Sequence, residues 1–383
     1  MISDVYFPRV NGVSTSIRTF HRELTQLGHE VTLVAPAYPG CHGSESWIMR
    51  VPSRFLPMDP EDRMMRYRDI LAMTDQFRCC NFDVIHIHTP FVAHYAGVAL
   101  ARRLQRPCVE TCHTHFEEYL HHYLPLLPGR FTRFCARRLC RSQCNAVDAL
   151  VVPSAAMREV LVRYGITRPL EIIATGLDDE FYRRGDGMRF RDRHGIDRRR
   201  PVLVYVGRVA HEKNIGFLLQ VLGKLRGSMK DILLIIAGEG PALTRLQRQA
   251  RSLGLEQNIS FIGYLDRETD LLDCYCAGNV FVFSSRTETQ GLVLLEAMAQ
   301  GTPVVALSVL GTRAILEAGK GALVAEDSID DFAHKVECIL QMPVLHRRLS
   351  EEARTYAASW SARAFAIRAA SLYEQTINNC YLN

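Results

Sequence analysis

Short apolar runs alternate with stretches of helical periodicity along almost the whole chain. The runs that predict strands lie at residues 31–35, 84–88, 107–111, 149–152, 171–174, 202–206, 232–237, 259–262, 280–283 and 303–306. Between them, apolar residues recur at helical spacing at residues 13–27, 155–163, 215–223, 241–252 and 291–299. Strands that are apolar throughout and alternate with helices are typical of parallel sheets covered on both faces. The pattern therefore predicts an α/β fold with parallel sheets.

The alternation stops at residues 177–200, a polar stretch rich in Gly, Asp and Arg. We interpret this stretch as a hinge between two α/β domains, at residues 1–176 and 201–360. Residues 361–383 carry apolar side chains at helical spacing, namely Phe365, Ala369, Leu372, Tyr373 and Ile377. This spacing predicts a terminal amphipathic helix that docks on a domain.

The start of the chain is unusual for this fold class. Only Met1 to Val5 precede the first predicted turn, so either the first strand is very short or the protein begins upstream. No apolar run reaches the roughly 18 residues of a membrane span. Because the first residues also lack the regions of a signal peptide, we expect a cytoplasmic protein with reduced cysteines. The twelve cysteines form no CxxC pair, which argues against a structural zinc site.

The net charge of +5 is too small to indicate nucleic-acid binding, but the charge is unevenly distributed. No acidic residue occurs at residues 119–147. A predicted helix there has one basic side, formed by Arg130, Arg133, Arg137 and Arg141. The other side is apolar, formed by Phe131, Phe134 and Leu139. This pattern favours docking on an anionic membrane surface, and the alternative is a solvated basic face over a packed apolar one.

Two segments of the second half carry candidate chemistry. The strand at 202–206 ends in Gly207 and Arg208, and Lys213 follows near a helix start, which suits a diphosphate. After the strand at 280–283, a loop carries Glu288 and a helix carries Glu296. The eight-residue separation is about two helical turns, so both carboxylates can face one ligand and accept hydrogen bonds from sugar hydroxyls. The alternative is a charge at a helix terminus plus a surface glutamate.

The first half offers a glycine turn and a set of histidines. Gly12 lies in a strand-to-helix turn, where the lack of a side chain lets the backbone approach a ligand. His86, His88, His113 and His115 follow predicted strands at the edge where α/β sheets place ligands. No carboxylate or cysteine completes a metal site around them, so ordinary structural histidines are the alternative.

In combination, these motifs closely resemble glycosyltransferase family 4, whose members are retaining enzymes of the two-domain GT-B type. Three motifs of this chain resemble the donor half of the family. They are Gly207-Arg208-x4-Lys213, Glu288-x7-Glu296 and the run Glu296-Ala-Met-Ala-x-Gly301-x-Pro303-Val-Val. The turn Pro8-x2-Asn11-Gly12-Val13 and the segment Thr111-Cys112-His113-Thr114 look like the acceptor half. The resemblance covers nearly the whole chain and implies two Rossmann-like domains, with the terminal helix crossing back to the first.

The resemblance also implies roles for single residues. Arg208 and Lys213 would neutralise the donor diphosphate, Glu296 would hold the ribose hydroxyls, and Glu288 the 3- and 4-hydroxyls of the sugar. Further contacts to the donor would come from Gly12, Gly207, Tyr264, Gly291, Leu292 and Val293, with Tyr264 against the base. His113 would contact the sugar near the reacting centre. No Asp-x-Asp motif is present, so we expect no metal cofactor, and the nucleotide stays open between uridine and guanosine.

The acceptor is suggested by the segment at 117–125, which carries Tyr119 and Tyr123 and precedes the arginine-rich helix. This arrangement is similar to the lipid-glycosylating branch of the family. We therefore predict hexose transfer to a membrane glycerolipid by a protein bound peripherally to the cytoplasmic face of the membrane. The alternatives are a soluble or lipid-linked oligosaccharide acceptor and an epimerase of the same fold. A phosphorylase, a periplasmic-type binding protein and a catalytically silent subunit fit the motifs less well.

Overall fold

The computed structural model describes residues 1–9, 11–39, 45–56, 59–113, 129–267 and 269–382, with the backbone alone described at 56, 59–62, 129–131, 381 and 382. The chain divides into two compact units. The first comprises Met1–Gly176 and Ala362–Asn383, and the second comprises Leu177–Ser361.

The strands, in chain order, are β1 (Leu33–Pro36), β2 (Ile48–Val51), β3 (Ser53–Leu56), β4 (Asp59–Met65), β5 (Ile85–Ile87), β6 (Cys108–Thr111), β7 (Ala149–Val152), β8 (Leu170–Ile172), β9 (Val202–Val206), β10 (Leu233–Ala237), β11 (Ile259–Gly263), β12 (Val280–Phe283), β13 (Val304–Leu307) and β14 (Ala322–Ala325). The α-helices are α1 (Gly12–Gln26), α2 (Tyr67–Ala72), α3 (Thr74–Cys80), α4 (Val92–Leu104), α5 (Gly129–Cys144), α6 (Ala155–Arg163), α7 (Gly187–Arg193), α8 (Ile215–Ser228), α9 (Leu243–Ser252), α10 (Asp270–Ala277), α11 (Leu292–Ala299), α12 (Gly311–Leu316), α13 (Ile329–Gln341), α14 (Pro343–Ala358) and α15 (Ala362–Leu382). Short 3₁₀ turns lie at Asp179–Tyr182 and His211–Lys213.

The first unit is built on parallel strands in the order β2-β1 and β5-β6-β7-β8. Ile2 pairs in parallel with Val34 of β1 and with Ile87 of β5, so a single residue takes the place of a central strand. Strands β3 and β4 form a separate antiparallel hairpin, which the apolar pattern did not predict.

Helix α15 belongs to the first unit, as the family resemblance predicts. Its buried residues Ala366, Ala369 and Leu372 share an apolar cluster with Phe20 of α1 and Val109 of β6. The helical spacing of apolar residues at the end of the chain thus closes the core of the first unit.

The second unit is a six-stranded parallel sheet in the order β11-β10-β9-β12-β13-β14. Counted from β9, this is the doubly wound order 3-2-1-4-5-6, in which the winding direction reverses between β9 and β12. Every residue of β9, β10, β12 and β13 is buried, which accounts for their continuous apolar sequences.

The stretch at 177–200, predicted to be a hinge, is a folded part of the second unit. It contains the first 3₁₀ turn and α7, and Phe190 is fully buried. Arg191 is also buried, because its guanidinium donates to the carbonyl oxygens of Ala277 and Arg200. Gly187 packs on α10 so closely that a Cβ atom would lie 2.3 Å from the carbonyl oxygen of Cys276. The composition predicted a hinge here. Instead, Gly187 packs against the backbone of α10, and Arg191 donates hydrogen bonds to backbone carbonyl oxygens.

Candidate active site

The carboxyl ends of β9 and β12 lie at the point where the winding of the second sheet reverses, which is where open α/β sheets bind ligands. Gly207 and Arg208 directly follow β9, and Gly207 adopts φ 149°, a conformation that favours glycine. The hydroxyl of the buried Tyr205 donates to the carbonyl oxygen of Arg208 at 3.2 Å. Arg208 itself is half-buried. The loop that carries Arg208 is therefore fixed by a hydrogen bond from the buried Tyr205.

Lys213 and Glu288 come together from the two loops that follow β9 and β12. Lys213 Nζ lies 2.6 Å from Glu288 Oε1, and their side chains are 20% and 19% exposed. Asn214 Nδ2 donates to the carbonyl oxygen of Ser284 at 3.3 Å, and Ser284 Oγ donates to that of Asn214 at 3.0 Å. Because an ammonium group has three donors, Lys213 can hold Glu288 and still bind an anion.

Glu296 lies in α11 and its side chain is only 2% exposed. Arg267 Nη2 donates to its Oε1 at 2.8 Å, and Tyr275 Oη donates to its Oε2 at 2.7 Å. We call these three residues the Glu296 cluster. Burial raises the pKa of the Tyr275 hydroxyl well above its usual value, so this group remains a donor. The sequence analysis missed Arg267 and Tyr275, although Arg267 follows β11 at the same sheet edge as Tyr264.

The remaining predicted donor residues of the second unit lie at the same edge of its sheet. Gly291, with φ 89°, caps the N-terminus of α11 in the left-handed conformation. Leu292 and Val293 form the first turn of that helix, where backbone N–H groups have no intrahelical partner and favour an anion. Tyr264 follows β11 and is 47% exposed, so its ring is accessible to a base.

In the first unit, Gly12 is the first residue of α1 and is exposed. Asn11 caps this helix, because its Oδ1 accepts from the backbone N–H of Ser14 at 2.8 Å. A Cβ atom at Gly12 would meet no atom within 4 Å. The fold of the unit therefore does not require glycine at this position.

His86, His88 and His113 form a row, here called the histidine column. His88 Nδ1 lies 3.2 Å from His113 Nε2, and the ring centroids of His86 and His88 are 4.1 Å apart. The two ring nitrogens of His86 bond to the hydroxyls of Tyr373 at 2.6 Å and Thr111 at 2.7 Å.

Burial lowers the pKa of His113 to about 4 and those of His86 and His88 well below 6.5. All three imidazoles are therefore neutral at pH 7. His115 lies outside the described residues. Within the part of the chain that the structure describes, no cluster of three or more His, Cys, Asp or Glu residues could hold a metal ion.

Asp4 is a further buried group at this edge that the sequence analysis missed. Its carboxyl accepts from the backbone N–H of Ala93 at 3.0 Å and from Thr89 Oγ1 at 2.8 Å, so it caps the start of α4. Burial raises its pKa to about 6. In the sequence, the signal for Asp4 is an acidic residue two positions after Ile2, which takes the place of a strand.

The arginine-rich segment forms α5, as predicted. Arg133, Arg137 and Arg141 are exposed, while the side chain of Arg130 and all of Tyr119 and Tyr123 lie outside the described residues. Phe134 is 62% exposed and Leu139 is 37% exposed, so both side chains are accessible from solvent. In the described residues, no helix combines the length and the apolar character needed to span a bilayer.

Two family models match the chain. The family described as Glycosyltransferase Family 4 matches residues 10–181, and the family described as Glycosyl transferases group 1 matches residues 188–356. A relative, the alpha-monoglucosyldiacylglycerol synthase of Streptococcus pneumoniae, is 32% identical over 315 residues, which cover 80% of this chain and 70% of that protein. The chain belongs to glycosyltransferase family 4.

Other members of glycosyltransferase family 4 and solved structures agree with this. The alpha-monoglucosyldiacylglycerol synthase of Acholeplasma laidlawii is 27% identical over 396 residues, which cover 100% of this chain and 98% of that protein. The structure of HepE from Anabaena in complex with UDP and glucose superposes with a TM-score of 0.80 at 15% identity and covers 98% of this chain and 99% of that one. Sucrose-phosphate synthase from Thermosynechococcus elongatus gives 0.77 at 18% identity, with 99% of both chains covered. At these identities the structural likeness shows the fold alone.

The predictions of the family, of a GT-B fold with two Rossmann-like domains, and of a hexosyltransferase are thus confirmed. The roles assigned to individual residues stay predictions.

Proposed function

We propose that this family 4 enzyme transfers a hexose from a UDP- or GDP-linked sugar to a membrane glycerolipid, with retention at the anomeric carbon. Two relatives that align with most of the chain are alpha-monoglucosyldiacylglycerol synthases. The structural observation that carries the proposal is the exposed surface of α5, where arginines lie beside Phe134 and Leu139.

The exposure of Phe134 and Leu139 favours the membrane-docking interpretation of this helix. A solvated basic helix over a packed apolar face would bury both side chains, yet the buried residues of α5 include Ala136, Cys140 and Cys144 instead. The side chain of Phe131, also predicted on the apolar side, lies outside the described residues. An aromatic side chain flanked by arginines is suited to the boundary between headgroups and acyl chains of an anionic bilayer. These features support peripheral binding at the cytoplasmic face of a membrane.

The donor chemistry follows from the charges at the edge of the second sheet. Cleavage of the bond between the anomeric carbon and the diphosphate oxygen leaves negative charge on the nucleoside diphosphate. Arg208 and Lys213 would stabilise this charge, in the manner of preorganised electrostatic catalysis. Glu288, paired with Lys213, would accept hydrogen bonds from sugar hydroxyls, so that the sugar and the phosphates are held by one ion pair. We propose on this basis that the enzyme needs no metal cofactor.

Retention in this proposal rests on front-face attack, in which the acceptor hydroxyl approaches from the side of the leaving diphosphate and a donor phosphate oxygen takes its proton. The sugar gains positive charge as the bond breaks. A neutral His113, with its pKa lowered to about 4, could bond to a sugar hydroxyl without opposing that charge.

The test is a transfer assay with purified protein and four donors, UDP-glucose, UDP-galactose, GDP-mannose and ADP-glucose. Each donor is combined with anionic liposomes that contain diacylglycerol, and the readouts are nucleoside diphosphate release and the mass of the lipid product. We expect release of one nucleotide that depends on diacylglycerol, together with a hexose-sized gain in lipid mass. Release that is independent of lipid, or transfer only to an added oligosaccharide, would refute the glycerolipid acceptor.

A matched pair of variants tests the role of α5. We expect Arg133→Ala/Phe134→Ser to reduce sedimentation with anionic liposomes and transfer to diacylglycerol within them. The control Arg158→Ala/Arg163→Ala removes two exposed arginines from α6 of the same unit and should behave like the parent enzyme. Equal sedimentation of both variants would assign membrane binding to another surface.

A further inference from the structure

The carboxylate predicted to hold the ribose is not a free surface group. Glu296 is almost completely buried, and each of its oxygens accepts one hydrogen bond within the Glu296 cluster, from Arg267 and from Tyr275. We propose that Arg267 and Tyr275 are positioning residues that fix Glu296 in the orientation needed to bind the nucleotide. This inference rests on the proposed function and adds two residues to its donor site.

The first step of the argument concerns charge. A carboxylate that loses its water needs a cation and hydrogen-bond donors to stay ionised. Arg267 supplies the cation at 2.8 Å, and its side chain is itself only 18% exposed. Its guanidinium also lies over the ring of Phe181, 5.2 Å from the ring centroid, so the cation has a fixed place. Without Arg267, the buried carboxylate would lose this cation and one of its two hydrogen bonds.

The second step concerns free acceptor sites. An ionised carboxylate offers about four lone-pair sites, of which the cluster uses two. Two neighbouring hydroxyls of a ribose can therefore still bind to Glu296.

The third step concerns location. Arg267 lies in the loop after β11, three residues beyond the exposed Tyr264 that is predicted to contact the base. One loop thus carries the predicted base contact and the cation of the predicted ribose contact. Tyr275 lies in α10, which brings a second element to the same carboxylate.

Few other ionisable groups face the cluster in the described residues. Buried Asp178, which precedes the first 3₁₀ turn, interacts with Arg267, and Cys274 of α10 adjoins Tyr275. Two further helices pack on α11. Of these, α12 carries an exposed Arg313, and α14 places Arg354 beside Gly301, beyond the C-terminal end of α11. Among the described residues, Arg267 is therefore the cation that pairs with Glu296 and fixes its position.

The experiment compares Arg267→Gln, Arg267→Lys and Tyr275→Phe with a control, Arg198→Gln, that removes an exposed arginine–carboxylate pair from the same unit. The readouts are UDP and GDP binding by calorimetry, and KM and kcat for the nucleotide sugar. We expect Arg267→Gln to raise the donor KM about 10- to 100-fold, with a smaller change in kcat.

Arg267→Lys keeps the charge and should restore most of the donor affinity. Tyr275→Phe removes a donor without removing charge, so its KM should rise only about 3- to 10-fold. A purely structural role would lower the melting temperature of Arg267→Gln and leave KM and nucleotide binding unchanged, which would overturn the inference. If the parent enzyme neither binds a nucleoside diphosphate nor transfers sugar, the proposed function fails instead.

Discussion

Both units contain parallel β-sheets, but they differ in what they place at the carboxyl edges of these sheets. In the second unit, this edge carries two ion pairs, Lys213–Glu288 and Arg267–Glu296. In the first unit, the edge carries the histidine column, which burial keeps neutral, and the capping carboxyl of Asp4. Topology therefore determines where a site forms, and the residues after each strand determine which ligand it suits.

The difference matches the division of labour that the proposed reaction needs. A nucleotide sugar brings a diphosphate, which fixed cations stabilise. The sugar and a glycerolipid hydroxyl are uncharged, and neutral imidazoles can bond to them without a strong field. Two results would contradict this comparison. One is normal turnover after a cation of the second unit is removed, and the other is unchanged acid stability after a histidine of the first unit is removed.

The largest effect should come from removing a cation of the second unit. We expect Arg208→Ala and Lys213→Ala each to lower turnover about 10²- to 10³-fold, because the departing diphosphate loses a fixed partner. Steady-state assays with the donor identified by the transfer screen measure this, and calorimetric melting checks the fold. Lys224→Ala is the matched control, since it breaks an exposed ion pair with Asp330 in the same unit. Normal turnover in both folded variants would remove these residues from the donor site.

The sequence predicted the second unit better than the first for a physical reason. Strands β9 and β12 are buried on both faces, so their apolar runs give their bounds to the residue. Strands β2 to β4 lie in a mixed stretch that lacks such runs, and they were missed. The central strand position of the first unit is held by Ile2 alone, which no periodicity can reveal.

The site was predictable as a set of residues but not as a set of contacts. Lys213 and Glu288 were found from local motifs, yet their pairing depends on β9 and β12 being neighbours, which is a property of strand order. Arg267 and Glu296 are 29 residues apart, and no sequence period connects them. Nor could the burial that makes the histidines neutral be read from the chain.

A smaller effect should appear in the stability of the first unit as the pH falls. His86, His88 and His113 have a lowered pKa when folded, so the unfolded chain binds more protons below pH 6.5 and stability decreases there. Asp4 acts in the opposite sense, because its folded pKa is raised to about 6. The α-amino group of Met1, whose pKa burial lowers to about 5, and His21, whose pKa burial also lowers, act in the same sense as the three imidazoles, so the first unit loses stability as the pH falls from 6.5 to 5.

The pH dependence of stability can be measured for the first unit alone, because, of the two tryptophans, Trp47 lies in the first unit and Trp360 in the second. In a Trp360→Phe background, Trp47 fluorescence follows urea unfolding of the first unit at pH 7.5 and pH 5.5. Adding His88→Gln should flatten the pH dependence by about one proton, whereas His29→Gln, at an exposed position, should not. An unchanged slope in His88→Gln would show that the column does not control acid stability.

The smallest effect concerns Gly12, which tests whether the neutral unit also touches the charged donor. A methyl group at Gly12 meets no protein atom within 4 Å, so Gly12→Ala should change the free energy of unfolding by no more than about 0.5 kcal/mol. If the turn approaches the diphosphate, as the family resemblance predicts, the same methyl group should raise the donor KM roughly fivefold or more. Gly223→Ala is the matched control, because a Cβ atom there also meets nothing within 4 Å and the residue lies inside α8. Equal donor KM values in the two variants would mean that Gly12 only makes a turn, and that donor recognition belongs to the charged unit alone.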